Sequence, residues 1–342
     1  MEVKNEKHSL ALPEIVSLAS AFYGSSVLFS ALEKQVFTWI ARNGGTATLE
    51  LLTTYTHSSS RGLRLLLDAC VAVGVLEKDA AGAYHNTPAG QLALVSGAPA
   101  DLSQAISYNR AVYPAWGKLS QLVETGAPVE EPAIHLGDDA ERTRRFALSM
   151  RGRALAIGRS VIPMLDLSGC KSLLDLAGGP GTYAELMAQA NPELHCVTVD
   201  LPAISAVAAE CVEKAGMADR VECRPGDYHT DTYEENAYDA VTIFGALHQE
   251  SPAQIVEILK RARRALRAGG KLFVLDMMTD ATRAAPAFSA LFAVNMALTT
   301  QNGWVFSDAD LAGWMEVAGF APAAARPLPP PMPHWLMQGV KR

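Results

Sequence analysis

The apolar positions of this chain change their spacing near residue 170. Before that point they recur at helical intervals. Leu32, Val36, Phe37 and Ile40 predict a helix over residues 30–40, which Asn43-Gly44-Gly45 ends. A short helix starts at residues 48–52, and residues 56–60 read as a turn carrying a helix cap. Leu63, Leu66, Leu67, Cys70 and Val71 predict a further helix over residues 61–73. Residues 74–77 and 83–85 flank Asp79-Ala80-Ala81-Gly82 and read as a two-stranded wing. Three helices and a wing make a winged helix-turn-helix. Residues 107–165 read as helical, with a loop from 126 to 137. There Phe146, Met150, Leu155, Ile162 and Leu165 give one apolar face.

Beyond residue 170, short apolar runs alternate with helical stretches. Strands are predicted at 172–176, 196–199, 221–224, 240–244 and 272–275, and helices at 182–190, 203–215 and 252–267. Gly269-Gly270 is read as the stop of the last of these helices. Residues 321–333, rich in Ala and Pro, are read as an irregular connection into a final strand at 335–340. Such alternation builds a doubly wound α/β domain with a parallel sheet. Three regions follow: 1–106, a winged-helix unit; 107–165, a helical linker contributing to a substrate pocket; and 166–342, the α/β domain.

Composition narrows the choice. The 342 residues carry a net charge of −7, which disfavours a broad nucleic-acid surface. A DNA-binding winged helix would offer only Arg61 and Arg64 on its recognition helix, with Asp68 beside them. The apolar N-terminal stretch (Ile15, Val16, Leu18, Phe22, Val27, Leu28, Phe29) suits a dimer interface better. Cys70, Cys170, Cys196, Cys211 and Cys223 form no CxxC pair, so neither a disulfide frame nor a zinc site is expected. The polar start MEVKNEKHSL lacks a signal-peptide core, and no apolar run is expected to span a membrane, which together point to the cytoplasm. Arg142, Arg144, Arg145, Arg151, Arg153 and Arg159 read as a solvated face, or with one or two turned into a substrate pocket.

The chemistry gathers at predicted strand ends. Asp175-Leu176-Ala177-Gly178-Gly179-Pro180-Gly181-Thr182 carries a strand through a glycine-rich turn into a helix, where a ligand can approach bare backbone. Asp200-Leu201 ends the next strand, about 20 residues on, where a carboxylate can accept ribose hydroxyls. That much fits NAD as well as S-adenosylmethionine. Asp175 tilts the choice, since it would repel a pyrophosphate and tolerate a cationic methionine moiety. Gly226-Asp227, followed by Tyr228, adds a carboxylate for an adenine amino group. Phe244 and His248 lie at and just beyond the end of the fourth strand, where a histidine can take a proton near neutral pH.

These segments, with Arg267-Ala268-Gly269-Gly270-Lys271-Leu272 and Tyr84-His85-Asn86-Thr87-Pro88-Ala89-Gly90, resemble the small-molecule O-methyltransferases of the plant caffeate and bacterial polyketide type. The resemblance covers nearly the whole chain. It implies a Rossmann-like class I methyltransferase domain preceded by a winged-helix dimerisation domain, a homodimer, S-adenosylmethionine as cofactor, and no metal, nucleic acid or membrane partner. It implies that His248 is the catalytic base and that Gly179, Asp200 and Asp227 contact the cofactor. Asp276 falls where the plant enzymes carry a first glutamate beside the base, and Val305 near the second. Ala177 replaces the first glycine of the usual turn. Relatives that methylate carbon or nitrogen remain alternatives. The full candidate set adds Asp175, Gly178, Gly181, Leu201, Gly226, Tyr228 and Phe244 on the cofactor side, and Phe146 and Met150 on the acceptor side.

Overall fold

The computed structural model describes residues 9–98, 100–131, 139–330 and 332–342. The start of the polar leader and the far part of the 126–137 loop lie outside them. The chain divides into two compact units, Met1–Ser107 and Tyr108–Arg342.

The first unit opens with α1 (Leu12–Ser20) and α2 (Phe22–Glu33). Then come α3 (Val36–Arg42), α4 (Leu49–Thr56), α5 (Ser60–Ala72), an antiparallel pair β1 (Leu76–Lys78) and β2 (Tyr84–Asn86), and α6 (Pro88–Ala93). Thr48 and Ser59 cap α4 and α5 by accepting from the Leu51 and Gly62 amides. The single helix expected over residues 30–40 is broken. Gln35 takes a left-handed backbone (φ 54°), and α3 turns so that Val36, Phe37 and Ile40 enter the core with Leu52, Leu67 and Leu76. No glycine or proline marks the break; packing imposes it.

The membrane expectation also needs correction. Residues Leu12–Glu33 form one near-continuous helical stretch that is long and apolar enough, by length and composition, to cross a membrane. Pro13 sits in the first turn, where its missing N–H costs nothing, and Glu14 and Glu33 lie near the ends, so neither interrupts the run. Leu12, Ile15, Val16, Leu18, Phe22 and Tyr23 are all exposed.

In the second unit, α7 (Ser103–Trp116, which crosses the unit boundary), α8 (Leu119–Thr125) and α9 (Ala140–Val161) precede β3 (Ser172–Leu176). Then follow α10 (Thr182–Ala190), β4 (His195–Asp200), α11 (Pro202–Lys214), β5 (Val221–Pro225), β6 (Tyr238–Phe244), α12 (Pro252–Ala265) and β7 (Leu266–Asp276). The chain ends with α13 (Ala287–Thr299), α14 (Asp308–Val317), β8 (Phe320–Pro322), β9 (Arg326–Pro327) and β10 (Trp335–Lys341). The sheet runs β5-β4-β3-β6-β7-β10-β8, with β9 also on β10. The first five strands are parallel; β10 is antiparallel to its neighbours.

Period-two alternation divides the core. Leu174, Leu176, Val241, Ile243, Leu272 and Val274 face α12 and α14, whereas Leu173, Ala240, Phe273 and Leu275 face α9 and α10. The α9 face is carried by Ala147, Ala154, Ile157 and Val161 rather than by the larger residues expected, and Leu155 is half-buried. Gly269-Gly270 does not stop a helix. The helix ends at Ala265, and β7 passes through both glycines. Its register against β6 slips there, from Tyr238↔Leu266 to Ala240↔Lys271, so the glycines form a bulge. Residues 321–333 are also less irregular than expected, because β8 and β9 pair with β10.

The strand order reverses between β3 and β6. Connections leaving β3 run outward to β4 and β5, and those after β6 run the other way. A crevice opens beyond the carboxyl ends of the strands at such a switch point.

Candidate active site

That crevice is a cavity of about 550 Å³, lined by Gly179, Asp200, Leu201, Asp227 and Tyr228 at the ends of β3, β4 and β5, and by Gly245, His248 and Asp276 beyond β6 and β7. Phe146, Met150 and Arg153 of α9 complete its wall, with Tyr108 of α7, Phe292 and Met296 of α13, and His334. Sequence reading missed Tyr108, His229, Glu250, Phe292 and His334. Glu250 stands two residues from His248, but nothing in the sequence joined it to Tyr228 and His229.

The glycine-rich turn rests on a polar row set by strand register. Asp175 lies opposite Thr198 on one neighbouring strand and Thr242 on the other. Both threonine hydroxyls donate to its carboxylate, Thr242 at 2.6 Å and Thr198 at 3.3 Å. Burial pushes the carboxyl up to about 7, against the pull of these two hydrogen bonds. Asp175 therefore sits beneath the turn and outside the cavity wall, not facing a cationic ligand as expected. Gly178, Gly181, Gly226 and Phe244 also stand behind the wall. Gly181 caps α10 with φ 71°, Gly226 leaves room for Asp231 to accept from the Asp227 amide, and Phe244 packs edge-on against Tyr183. Ala177, at φ 55°, adopts the left-handed backbone that a glycine takes freely, at a cost of about 1–2 kcal/mol.

Two adjacent glycines do different work. A Cβ on Gly178 would lie 1.8 Å from Thr198 Oγ1 and 2.5 Å from Asp175 Oδ2, whereas one on Gly179 would meet nothing within 4 Å. The space above Gly179 is open cavity, and its N–H donates to Asp200 Oδ2 at 2.8 Å. Gly178→Ala is expected to lose about 1–3 kcal/mol of stability by overpacking the polar row. Gly179→Ala meets no atom but puts an alanine into the left-handed backbone at φ 57°, which costs about 1–2 kcal/mol, and its Cβ projects into the cavity. It should therefore weaken ligand binding more than Gly178→Ala does; calorimetry on the two variants checks this, and equal affinities would contradict it.

Asp200 Oδ1 accepts from the Leu201 N–H at 2.8 Å, so both carboxylate oxygens are fixed by backbone while keeping a lone pair each. Burial raises its pKa, against the opposing pull of the two amides. Asp227 Oδ1 accepts from the His229 amide and ring. His229 bridges to Glu250 at 2.9 Å, and the Tyr228 hydroxyl donates to Glu250 at 2.7 Å. Burial opposes charge on His229, but Glu250 and Asp227 outweigh it and raise its pKa. The bare backbone edge at Gly179 and the carboxylates of Asp200 and Asp227 therefore meet in one cavity, an arrangement that suits an adenosyl ligand.

At the other strand ends, His248 Nδ1 lies 2.7 Å from Asp276 Oδ1, and the His248 amide donates to Asp276 Oδ2 at 3.2 Å. The Met277 amide adds a third hydrogen bond to the carboxylate at 2.8 Å. Hydrogen-bond matching puts the imidazole proton on Nδ1 and leaves the Nε2 lone pair free. Phe292 packs edge-on against the ring at 5.2 Å. Val305 packs with Phe292, Met277 and Met296 in a buried apolar cluster and is not among the residues that line the cavity. Among the described residues, no cluster of His, Cys, Asp and Glu could hold a metal ion.

A switch-point cavity with these carboxylates, on this sheet order with its antiparallel β10, defines a class I S-adenosylmethionine methyltransferase. The O-methyltransferase domain model matches residues 129–321, and the O-methyltransferase dimerisation domain model matches residues 16–96. The chain belongs to this S-adenosylmethionine-dependent O-methyltransferase family. The tetracenomycin polyketide synthesis 8-O-methyl transferase of Streptomyces glaucescens is 31% identical, covering 90% of this chain and 91% of that protein. The N,N-dimethyltransferase OxyT of Streptomyces rimosus is 29% identical over 96% of each. The crystal structure of human N-acetylserotonin methyltransferase in complex with SAM matches with a TM-score of 0.87 at 24% identity, covering 98% of this chain and 99% of that one.

Proposed function

We propose that this enzyme methylates a hydroxyl of an aromatic or polyketide-like small molecule, with His248 as general base. The observation that carries this reading is the His248–Asp276 pair at the cavity wall, with Nδ1 held at 2.7 Å and Nε2 free. S-adenosylmethionine, when bound, supplies a methyl group on a positively charged sulfur that leaves as a neutral thioether. Gly179, Asp200, Leu201, Asp227 and Tyr228 are the residues that would hold its adenosyl part. His248 Nε2 takes the proton of the acceptor hydroxyl as the oxygen–methyl bond forms. Asp276 fixes the ring and stabilises the resulting imidazolium. Phe292, Met296, Phe146 and Met150 give the acceptor an apolar bed and exclude water. Holding acceptor and methyl in line can supply several kcal/mol of the barrier.

Calorimetry with S-adenosylhomocysteine, followed by a screen of phenolic acceptors with methyl-labelled cofactor, tests the reading. Label recovered as methyl ether supports it, and label on carbon or nitrogen overturns it. All five cysteines are free thiols, which suits a cytoplasmic setting.

The exposed apolar face of α1 and α2 falls largely within the dimerisation model. We expect a homodimer at micromolar concentration, and Val16→Asp with Leu18→Asp should yield monomers. Sedimentation velocity checks this; a monomeric native protein would contradict it.

A further inference from the structure

We propose that Arg153, Tyr108 and His334 form a carboxylate-binding subsite in the acceptor half of the cavity, so that preferred acceptors are hydroxylated aromatic acids. This rests on the hydroxyl-methylation reading and narrows its substrate class.

The first observation is an uncommitted cation. Arg144, Arg145 and Arg151 pair with Glu210, Glu141 and Glu185. Arg153 lines the cavity with its guanidinium 4.8 Å from the Tyr108 ring centroid, and has no carboxylate partner among the described residues. The cavity's own carboxylates are engaged elsewhere: Asp200 by backbone amides, Asp227 and Glu250 by His229, and Asp276 by His248. A half-buried guanidinium on a cavity wall gains most from an incoming anion, which it can grip through two parallel hydrogen bonds.

The second observation is a buried polar group with nothing to bond. His334 lines the same cavity, is only 8% exposed, and its Nδ1 has no hydrogen-bond partner. Burial, and then the charge of Arg153, lower its pKa to about 4, so at neutral pH it is an uncharged hydrogen-bonding ring. Asp276 and His248 are also within its electrostatic reach, which puts it near the base.

The third is a prepared donor. The Asn295 side-chain amide donates to the Tyr108 hydroxyl at 3.0 Å and is itself fixed by the Trp116 ring N–H at 2.9 Å. The Tyr108 hydroxyl then keeps its own proton to give. Cation, hydroxyl donor and neutral imidazole together suit a carboxylate on an aromatic ring whose hydroxyl reaches His248.

The cofactor's methionine part also brings a carboxylate, and the experiment separates the two sources. S-adenosylhomocysteine is titrated into the wild-type protein and into Arg153→Gln. Each protein, saturated with S-adenosylhomocysteine, is then titrated with 3-hydroxy-2-naphthoate and with its methyl ester. We expect the wild type to bind the acid about tenfold or more tighter than the ester, the usual gain from a charge-assisted pair. Arg153→Gln should bring the ratio near one while leaving ester and S-adenosylhomocysteine affinities within about twofold, below what one lost hydrogen bond costs. Equal binding of acid and ester by the wild type, or no binding of either, overturns the proposal. An unchanged ratio in Arg153→Gln with weakened S-adenosylhomocysteine assigns the cation to the cofactor and overturns it too. Wild-type protein that fails to bind S-adenosylhomocysteine would instead defeat the methyltransferase reading. Should Arg153→Gln not fold, the wild-type ratio and Tyr108→Phe, expected to lower that ratio, decide the matter.

Discussion

His248→Ala should lower the turnover of a phenolic acceptor by about 10²–10⁴-fold at neutral pH, with the affinity for S-adenosylhomocysteine hardly changed. The ring stands beyond β6, whereas the groups suited to ribose and adenine stand beyond β4 and β5. Under the proposed mechanism its removal costs proton transfer and leaves the groups beyond β4 and β5 in place. Asp276→Asn should be milder, because that residue holds Nδ1 and does not itself meet the acceptor proton. An asparagine can still accept from Nδ1–H, but it offers no charge to stabilise the imidazolium. Single-turnover rates with the three proteins check the order. Turnover of His248→Ala equal to the wild type would make the ring structural.

The second large effect is expected at Asp200. Asp200→Asn should weaken S-adenosylhomocysteine by roughly 10- to 150-fold, the equivalent of about 1.5–3 kcal/mol for a hydrogen bond to a charged group. The carboxylate is held by the Gly179 and Leu201 amides, so it meets a ligand already oriented. Asparagine keeps one acceptor and loses the charge, which also loosens Gly179. Calorimetry reads the affinity, and a thermal melt of the ligand-free protein separates lost binding from lost fold. Unchanged affinity would remove Asp200 from the site.

Much of this was legible because regular elements impose regular spacing. β3, β4 and β5 stand within one residue of their expected bounds, and α10 matches its own. Asp200, Asp227 and His248 line one cavity, as expected for residues at strand ends that gather at one edge of a parallel sheet. Three kinds of feature stayed hidden. Gln35 breaks a helix through packing, without a breaker residue. Gly269-Gly270 has the composition of a helix stop, yet serves as a bulge in β7. Asp175 was placed by sequence in the ligand site, but β-pleat alternation turns its side chain under the turn, onto Thr198 and Thr242.

Tyr108 and His334 were hidden for a different reason, and Arg153 was named without being singled out from its neighbours. A helix face that lines a cavity and one that enters a core share the same periodicity. His334 lies after a proline-rich connection whose pairing with β10 no local pattern revealed. For the six arginines, sequence reading left open which would enter a pocket; only Arg153 lines this one.

The role of His248 is tested most directly by the pH dependence of single-turnover methyl transfer in wild type and His248→Ala, with one phenolic acceptor and saturating S-adenosylmethionine. A phenol ionises in water near pH 10 and then needs no base. The variant rate should therefore climb steeply with pH and approach the wild-type rate near pH 10, so that the 10²–10⁴-fold gap at neutral pH largely closes. A gap that stays constant across the range would contradict proton removal by His248.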